Sequence, residues 1–281
     1  MKFISNYTPI NILDIGASPC DPTLHIETLL ENTNSHLYGF EPNELEYNKL
    51  KEKELLDNRT YFDLAIGDGK EHTLNLCRYP GWTSFFEADK KYISYFHNFE
   101  KASEILEKKK IKTKKLDEIQ FNDTLDFIKI DVQGYESIII ENGKQKIKDS
   151  LVLQVELSPV NLYIGEKKMS EVVPEIEKLG FNLNMFHNIN TRTFKPMVLQ
   201  GNTGIGLHTL FQLDCVFVKD FNHISEMDVE KLKKLILIMF YSYKSYDFVD
   251  YLITILDKKQ NTNLISKYRE LIPSLKIEKR Y

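Results

Sequence analysis

Small and acidic residues follow each of the first three apolar runs of this sequence, in positions suited to ligand binding. The three segments are Asp14-Ile15-Gly16-Ala17-Ser18, Phe40-Glu41-Pro42 and Ala65-Ile66-Gly67-Asp68. Gly16 would allow the backbone to approach a ligand closely, and Asp14 could hold an ammonium group. Glu41, roughly 20 residues after the glycine turn, could accept hydrogen bonds from both hydroxyls of a ribose. The small residues of the third segment could flank an adenine.

The glycines that are missing from the first turn narrow the choice of ligand. The sequence lacks the G-x-G-x-x-G pattern, in which further glycines bring backbone N–H groups against a pyrophosphate. A strand that ends in D-I-G can also lead into an ordinary turn, so the prediction depends on the ordered set of three segments. A nucleoside with an amino-acid arm and no phosphates fits that set, and S-adenosylmethionine is such a ligand. The residues predicted to bind it are Asp14, Gly16, Ala17, Ser18, Phe40, Glu41, Pro42, Ala65, Ile66, Gly67 and Asp68.

The elements that position these segments alternate between strands and helices. Strands are predicted over 10–16, 36–42 and 60–67, and helices over 22–33 and 43–56. Asp21 is the predicted N-cap of the first helix, with Pro22 at its first position. Strands that alternate with helices indicate right-handed crossovers and a parallel sheet, and therefore an α/β fold.

The second half of the chain completes the sheet and then changes character. Further strands are predicted over 70–77, 125–131, 150–157, 181–187 and 210–219, and helices over 92–110, 135–147 and 169–181. The last two strands are joined without a helix, which indicates an antiparallel pair at the sheet edge. From Ile224 onward, apolar residues at helical spacing predict two or three helices. We therefore predict a binding domain over 1–221 and a helical C-terminal extension over 222–281.

Composition excludes several classes of protein. The 281 residues are 42% apolar and 28% charged, as in a soluble globular protein with a buried core. The net charge of −4 argues against a nucleic-acid partner. Cys20, Cys77 and Cys215 are far apart and form no C-x-x-C pattern, which favours reduced thiols. Because no signal peptide or membrane-spanning run is apparent, a cytoplasmic location is predicted.

Several motifs together resemble one protein family. They are LDIGASP, YGFEPN, LAIGDG, GWTSFFEAD, TKKLDEI, DFIKIDVQGYE, VELSPVNLY and FQLDCVFVKDF, in this order over residues 10–221. On these motifs the chain resembles the FkbM family of S-adenosylmethionine-dependent methyltransferases. The resemblance implies a Rossmann-like class I methyltransferase sheet with an antiparallel final strand, and cofactor roles for Asp14, Gly16 and Glu41. Ser18, Pro19 and Cys20 stand where many relatives carry Asn and a second Gly, and Pro19 has no N–H to donate.

Three residues are candidates for catalysis: Asp131, Glu156 and His208. In the architecture that the resemblance implies, Asp131 faces the reactive methyl group and could accept a proton; alternatively, it caps the next helix. Glu156 closes an apolar strand and needs a partner or solvent, which could be the acceptor. The imidazole of His208 could act as a base near neutral pH or be structural. Asp131 and Glu156 could share a divalent metal, but their spacing does not require one and we predict none.

The acceptor is expected to contact a loop and two further side chains. The residues predicted to bind it are Trp82, Ser84, Gln133 and Tyr163. Packing in the core is the alternative role for Trp82, and Tyr163 could stack on a sugar. The predicted partners are a small-molecule or glycan acceptor and a second copy of the chain through the C-terminal helices.

The function predicted from these residues and the resemblance is O-methylation of a hydroxyl on a sugar, a glycan precursor or a related small molecule. One alternative is a binding or assembly protein that keeps the fold without methyl transfer. Another is a nicotinamide-dependent oxidoreductase, which the missing phosphate-binding glycines disfavour. The presence of Asp14, Glu41 and Asp131 together favours the enzyme.

Overall fold

The computed structural model describes residues 1–5, 9–19, 23–52, 57–121 and 123–274. The chain forms two compact units. The larger unit contains Asn11–Pro22 and Leu37–Asp220, and the smaller one contains Met1–Ile10, Thr23–His36 and Phe221–Tyr281. The smaller unit thus groups the C-terminal residues with two N-terminal segments. The division into domains over 1–221 and 222–281 stays a prediction.

A seven-stranded sheet forms the centre of the fold. The strands of the described residues, of which β4 and β5 form a separate pair, are β1 (Ile10–Ile15), β2 (Ser35–Phe40), β3 (Arg59–Phe62), β4 (Glu71–Cys77), β5 (Ile105–Lys112), β6 (Phe127–Ile130), β7 (Val152–Leu157), β8 (Phe181–Arg192) and β9 (Thr209–Lys219). The sheet order is β3-β2-β1-β6-β7-β9-β8. β6 is parallel to β1 and β7, and β3 to β2, whereas β9 is antiparallel to β7 and β8. The predicted Rossmann-like α/β sheet with an antiparallel final strand is confirmed.

Helices connect most of these strands. They are α1 (Lys2–Ser5), α2 (Leu24–Asn32), α3 (Glu44–Lys51), α4 (Lys90–Ile93), α5 (Phe99–Ala102), α6 (Glu136–Glu141), α7 (Lys144–Asp149), α8 (Met169–Glu177), α9 (Phe221–Ile224), α10 (Val229–Tyr241), α11 (Tyr246–Gln260) and α12 (Leu264–Leu271). The predictions for Asp21 and Pro22 lie outside the described residues; α2 begins at Leu24 after Thr23.

The central strands are apolar along their length because both faces of the sheet are covered. β1 is buried at all six positions and β6 at all four. Strands buried on both faces lose the polar–apolar alternation of half-exposed strands, which is why short apolar runs identified them. Buried polar residues interrupt this pattern at Asn11 and Asp14 in β1, at Lys129 in β6 and at Gln154 in β7, and Lys129 is only 2% exposed.

The charged helix predicted over 92–110 is wrong. The structure has the short helices α4 and α5 there, followed by β5, which pairs antiparallel with β4 in a separate two-stranded sheet. Most β5 side chains are exposed, so the run of lysines has no apolar period to mark it as a strand. Backbone pairing with β4 holds it in place, and this tertiary context overrides local propensity.

The smaller unit has its own apolar core. α10 contacts α1, α2 and α11, and α11 contacts α12. The carboxylate of Asp257 accepts hydrogen bonds from the backbone N–H groups of Leu264 (2.8 Å) and Ile265 (2.9 Å), which fixes the start of α12. The helices predicted after Ile224 are therefore present. No helix within the described ranges has the length and apolar content needed to cross a bilayer.

Truncation after Lys219 should make the chain aggregate or change its oligomeric state. Ile26, Leu29 and Leu30 of α2 are buried, and α10 is one of the elements that pack against this helix. Removing residues 220–281 would expose this apolar face to water, and such patches promote association. Sedimentation velocity against the full chain measures the effect. A truncated chain that sediments as a single monomer would show that α2 is covered without the C-terminal helices.

Candidate active site

A cavity of about 390 Å³ lies at the carboxyl ends of the parallel strands in the larger unit. Twelve predicted site residues line it: Gly16, Ser18, Phe40, Glu41, Pro42, Ala65, Ile66, Trp82, Ser84, Asp131, Gln133 and Glu156. Six predicted residues lie outside its lining: Asp14, Ala17, Gly67, Asp68, Tyr163 and His208. The structure therefore brings the cofactor and catalytic candidates into one cavity, with His208 apart from it.

The turn after β1 is held between two neighbouring strands. The N–H of Gly16 donates to the carbonyl of Phe40 (3.0 Å), and the N–H of Asp131 donates to the carbonyl of Ile15 (3.0 Å). Gly16 has φ +85°, and a Cβ there would lie 1.8 Å from the carbonyl oxygen of Asp131. Position 16 therefore needs a glycine because the backbone at the end of β6 lies too close for a side chain, whether or not the turn also receives a ligand.

Asp14 faces an ammonium group of the chain itself. Its Oδ1 lies 3.6 Å from Nζ of Lys129, and the same Nζ lies 3.1 Å from Oδ2 of Asp131. Asp14 and Lys129 are almost fully buried and are register partners on β1 and β6. A buried lysine needs such partners because desolvation of an unpaired charge is costly. A cofactor role for Asp14 stays a prediction, and its position favours an indirect one through Lys129.

Asp131 and Glu156 are joined by the amide of Gln133. Nε2 of Gln133 donates to Oδ1 of Asp131 (2.9 Å) and to Oε2 of Glu156 (2.8 Å). Gln212 donates to the same oxygen of Glu156 (2.8 Å), and the hydroxyl of Tyr163 donates to Oε1 of Gln133 (3.0 Å). The two carboxyl groups on neighbouring strands thus form one hydrogen-bonded network.

The two carboxyl groups of this network differ in pKa. Burial favours a neutral Asp131, but the charge of Lys129 and hydrogen bonds from Lys129 and Gln133 outweigh it and lower the pKa of Asp131. Burial and the negative charge of Asp131 raise the pKa of Glu156 well above its usual range. The surroundings of the two carboxyl groups therefore shift their pKa values apart, towards the ionised form for Asp131 and towards the protonated form for Glu156.

Asp131 does not cap the following helix. The N-cap of α6 is Tyr135, which makes no side-chain capping bond. Instead, Oε1 of Glu136 accepts from the backbone N–H groups of Val132 (3.0 Å) and Gly134 (3.1 Å). The helix-cap alternative for Asp131 is therefore wrong, because Glu136 holds this turn and leaves the Asp131 carboxylate at the cavity.

The backbone at Gln133 is held in an uncommon conformation. Gln133 has φ +56°, which is rare for a residue with a side chain. The hydroxyl of Ser84 donates to the Gln133 carbonyl (2.6 Å) and accepts from the N–H of Phe86 (3.0 Å). Ser84 thereby fixes the residue that bridges the two carboxyl groups. Its predicted contact with the acceptor stays a prediction.

Glu41 is a buried carboxyl group at the end of β2. Its Oε1 accepts from the N–H of Asn43 (2.7 Å), and it lines the cavity beside Glu46. Burial raises the pKa of Glu41 to about 7, with smaller contributions from the negative charges of Glu46 and Asp14. A carboxyl group in this position can bind hydroxyl donors once it is ionised.

Of the predicted adenine segment, residues 65–68, two residues line the cavity and two make structural contacts elsewhere. Ala65 and Ile66 line the cavity. Gly67 packs against Thr113 and donates to the carbonyl of Lys114 (2.8 Å). Asp68 pairs with His72 (2.7 Å). Burial opposes ionisation of Asp68, but hydrogen bonds from His72 and Lys70 prevail and lower its pKa to about 2.

The predicted aromatic residues are both buried. Trp82 lies 5.2 Å from Phe99 and 5.6 Å from Tyr163 between ring centroids, and it also lines the cavity. Tyr163 is 1% exposed. Packing and cavity lining are therefore both roles of Trp82, whereas Tyr163 contacts the site through Gln133. His208 is exposed in the segment between β8 and β9.

The family model for the methyltransferase FkbM domain matches residues 14–183. The chain belongs to the FkbM methyltransferase family. The chain is also similar to two solved structures of methyltransferases. One is a TehB-like SAM-dependent methyltransferase from Corynebacterium glutamicum (14% identity, TM-score 0.35, 75% of this chain and 80% of that chain). The other is magnesium protoporphyrin IX methyltransferase from Synechocystis with bound SAM (10% identity, TM-score 0.36, 76% and 71%). Comparison with proteins of curated function finds no match.

Some cavity residues of this FkbM methyltransferase lie beyond the matched region. Asp131, Gln133 and Glu156 fall within residues 14–183, whereas Arg192 and Gln212 follow it. These last two residues were missed from the sequence because they meet the cavity only through the pairing of β8 with β9. Lys129 and Glu46 were also missed. The signal for Lys129 is its place inside the apolar run DFIKID.

The carboxyl groups of this FkbM domain do not form a recognisable metal site among the described residues. Within the part of the chain that the structure describes, no group of three or more His, Cys, Asp or Glu side chains could hold a metal ion. The expectation that the reaction uses no metal stays a prediction.

Proposed function

We propose that this FkbM methyltransferase transfers the methyl group of S-adenosylmethionine to a hydroxyl of a sugar, a glycan precursor or a related small molecule. The observation that carries the proposal is the carboxyl group of Asp131 at the cavity wall, one strand from the Gly16 turn and 3.1 Å from Nζ of Lys129. Family membership supports methyl transfer, and the carboxylate supports an acceptor that loses a proton, as a hydroxyl does.

The cavity residues fit S-adenosylmethionine. The turn at Gly16 and Ser18 would receive the methionine arm, Glu41 the ribose hydroxyls, and Ala65 and Ile66 the adenine. Glu41 supports this assignment because it is buried and, among the described residues, its hydrogen-bond partner is the N–H of Asn43. It retains acceptor capacity for two hydroxyls. When bound, the cofactor supplies an electrophilic methyl group.

Asp131 is the proposed proton acceptor for the hydroxyl. An O–CH₃ bond forms as the S–CH₃ bond breaks, and the hydroxyl proton passes to Asp131. The lowered pKa of Asp131 favours its ionised form, which can accept a proton. The acceptor hydroxyl becomes more acidic as its oxygen bonds to the methyl carbon, so it can give its proton to this carboxylate. Lys129 and Gln133 hold the carboxylate in place, and the Glu156 carboxyl group lies beside it. Alignment of donor and acceptor is the main demand on such a displacement.

An assay of cofactor turnover tests the proposed function. The full chain is incubated with S-adenosylmethionine and a panel of sugars, glycans and nucleotide-linked sugars, and S-adenosylhomocysteine release is measured. We expect release to depend on one class of acceptor, whose mass increases by one methyl group. Tight cofactor binding without release across the panel would instead support a binding or assembly protein.

Replacing Glu41 by Gln should lower the affinity for S-adenosylmethionine by about 10- to 150-fold, since charge-assisted hydrogen bonds contribute roughly 1.5–3 kcal/mol. Because the pKa of Glu41 is about 7 in the free protein, the parent should bind more tightly as pH rises from 6 to 8. The variant should lose this dependence. Calorimetry measures both effects.

Glu44→Gln is the matched control, because Glu44 is exposed on the same segment and lies outside the cavity lining. The Glu41 variant should melt no lower than the parent at pH 8. The reason is that a carboxyl group whose pKa is raised by folding lowers the free energy of unfolding of the protein as pH rises and the group ionises. Unchanged affinity in the Glu41 variant would remove this residue from the cofactor site.

We further propose that residues 222–281 act as an extension to the methyltransferase domain and provide contacts for a homo-oligomer. The apolar stripe of α10 and α11 is buried within the smaller unit, so the support for contacts with a second copy is the exposed ring of Tyr251 on α11. A cytoplasmic location is supported by three dispersed cysteines without a C-x-x-C pattern.

A further inference from the structure

Arg192 places a positive charge in the wall of the cavity. It is the last residue of β8, is half-buried, and lines the cavity beside Gln212 and Asn190. Its Cζ lies 5.4 Å from the ring centroid of Phe99 and 5.3 Å from that of Phe211. Stacking on two rings holds a guanidinium in a fixed plane, which preserves its hydrogen-bonding geometry for a ligand.

The guanidinium of Arg192 has no acidic partner among the described residues. Its hydrogen bond there is from Nη1 to the carbonyl of Thr191 (2.8 Å), which leaves most of its five N–H donors unused. Arg78 and Arg269, by contrast, pair with Glu104 (2.7 Å) and Asp250 (2.8 Å). A half-buried charge without a counter-charge is costly to desolvate. Such a site is suited to an oxyanion that forms paired N–H···O bonds.

Its place in the sheet puts Arg192 far from the proposed cofactor site. In the sheet order, β8 lies four strands from β1, where the Gly16 turn begins. At about 4.8 Å between neighbouring strands, the separation is about 19 Å. β7 and β9, which carry Glu156 and Gln212, lie between them. Arg192 therefore belongs to the part of the cavity left for the acceptor.

The lysines of β5 provide a weaker anion site. Lys108, Lys109 and Lys110 are exposed and already pair with Glu87 (2.6 Å), Glu44 (3.7 Å) and Glu71 (3.2 Å). Their charges are thus largely neutralised by the chain itself and screened by solvent. Arg192 is the cation that faces the cavity without such compensation.

We propose that Arg192 binds a carboxylate or phosphate group on the methyl acceptor, so that this enzyme selects anionic acceptors. This inference rests on the proposed function, because it takes the cavity beside Asp131 to be the acceptor site. The rings of Trp82, Phe99 and Phe211 form an apolar wall next to the guanidinium. An acceptor with an apolar ring face and an oxyanion matches both features.

The single tryptophan of the chain gives a direct test. Trp82 lines the cavity and touches both rings that stack on Arg192, so its fluorescence reports binding there. The full chain is titrated with glucose, glucuronate and glucose 6-phosphate, which share a ring and differ in charge. We expect a saturable response to at least one anionic sugar at concentrations where glucose gives none. The responding sugar distinguishes a carboxylate acceptor from a phosphate acceptor.

Variants assign the response to Arg192. Arg192→Gln should weaken anion binding by about tenfold or more, because the charge-assisted bonds are lost. Arg192→Lys should retain part of the response, since it keeps the charge without the planar fork. Arg78→Gln, which removes an exposed guanidinium outside the cavity lining, should bind as the parent does. Thermal melts identify any variant that fails to fold.

Three results would overturn the proposal: no response to either anion, an equal response to glucose, or full anion binding by Arg192→Gln. Calorimetry with S-adenosylhomocysteine separates this proposal from the proposed function. We expect Arg192→Gln to bind it as the parent does, and weaker binding would place Arg192 at the cofactor instead. If the parent itself does not bind S-adenosylhomocysteine, the proposed function fails, whereas the anion response is judged by the sugar titrations alone.

Discussion

Replacing Asp131 by Asn should lower kcat by about 10²- to 10⁴-fold, the usual contribution of general-base catalysis, and should leave the affinity for S-adenosylmethionine near its parent value. Asparagine keeps the size of the side chain and part of its hydrogen bonding but cannot accept a proton. The loss should therefore appear in the chemical step. Single-turnover kinetics with a saturating acceptor measures that step, and calorimetry measures the cofactor affinity.

Two further variants show whether the effect belongs to Asp131. Burial and the charge of Asp131 raise the pKa of Glu156, which favours its neutral form, so Glu156→Gln, which is neutral and of the same shape, should reduce the rate far less. His208→Gln should react as the parent does, since His208 is exposed and outside the cavity lining. Near-normal turnover by a folded Asp131→Asn variant would remove Asp131 as the base and direct attention to the other two residues.

Replacing Lys129 by Met should destabilise the protein by about 3–5 kcal/mol at neutral pH, the usual cost of removing one partner from a buried ion pair. The apolar stem of methionine fills much of the same space, so the lost charge dominates. Asp14 and Asp131, which lie 3.6 Å and 3.1 Å from Nζ of Lys129, would stay buried and lose the positive charge of Lys129. Urea unfolding followed by circular dichroism measures the change.

The cost of the Lys129 substitution should depend on pH. In the parent, the lowered pKa of Asp131 contributes stability above its unfolded pKa of about 3.9, and this contribution is lost as pH falls through the folded pKa. In the variant, burial without Lys129 should raise the pKa of Asp131, so ionisation costs stability as pH rises. The difference should therefore be largest near pH 7 and shrink towards pH 4.

Lys110→Met is the matched control for Lys129→Met. It removes an exposed lysine whose pair with Glu71 is open to solvent, and such pairs contribute little. A Lys129 variant that unfolds at the same urea concentration as this control would show that the buried pairs do not stabilise the fold.

Strands could be predicted from the sequence where burial requires a run of apolar residues. β1, β6 and β7 were predicted because both faces of these strands are covered and most of their residues are apolar. β5 was predicted as a helix, since its exposed lysines carry no strand period and only its pairing with β4 makes it a strand.

Single site residues at the ends of strands could be predicted from the sequence, but contacts between residues on different strands could not. Glu41, Asp131 and Glu156 each stand at the end of an apolar run, so their positions at one edge of a sheet followed from the fold class. The pairing of Asp14 with Lys129 depends on the register of β1 against β6, and the cavity position of Arg192 depends on irregular pairing of β8 with β9. Sequence spacing does not encode either register.

The close approach of Gly16 to the carbonyl of Asp131 couples two segments of the cavity wall: the turn after β1 and the end of β6. No side chain lies between the turn proposed to receive the methionine arm and the backbone that carries Asp131, the proposed proton acceptor. A shift of either segment must therefore be transmitted to the other, and neither can be tuned alone. If the proposed roles hold, the position of the Asp131 carboxylate relative to the methionine arm is set by the main chain before either reactant binds, without closure of a mobile segment.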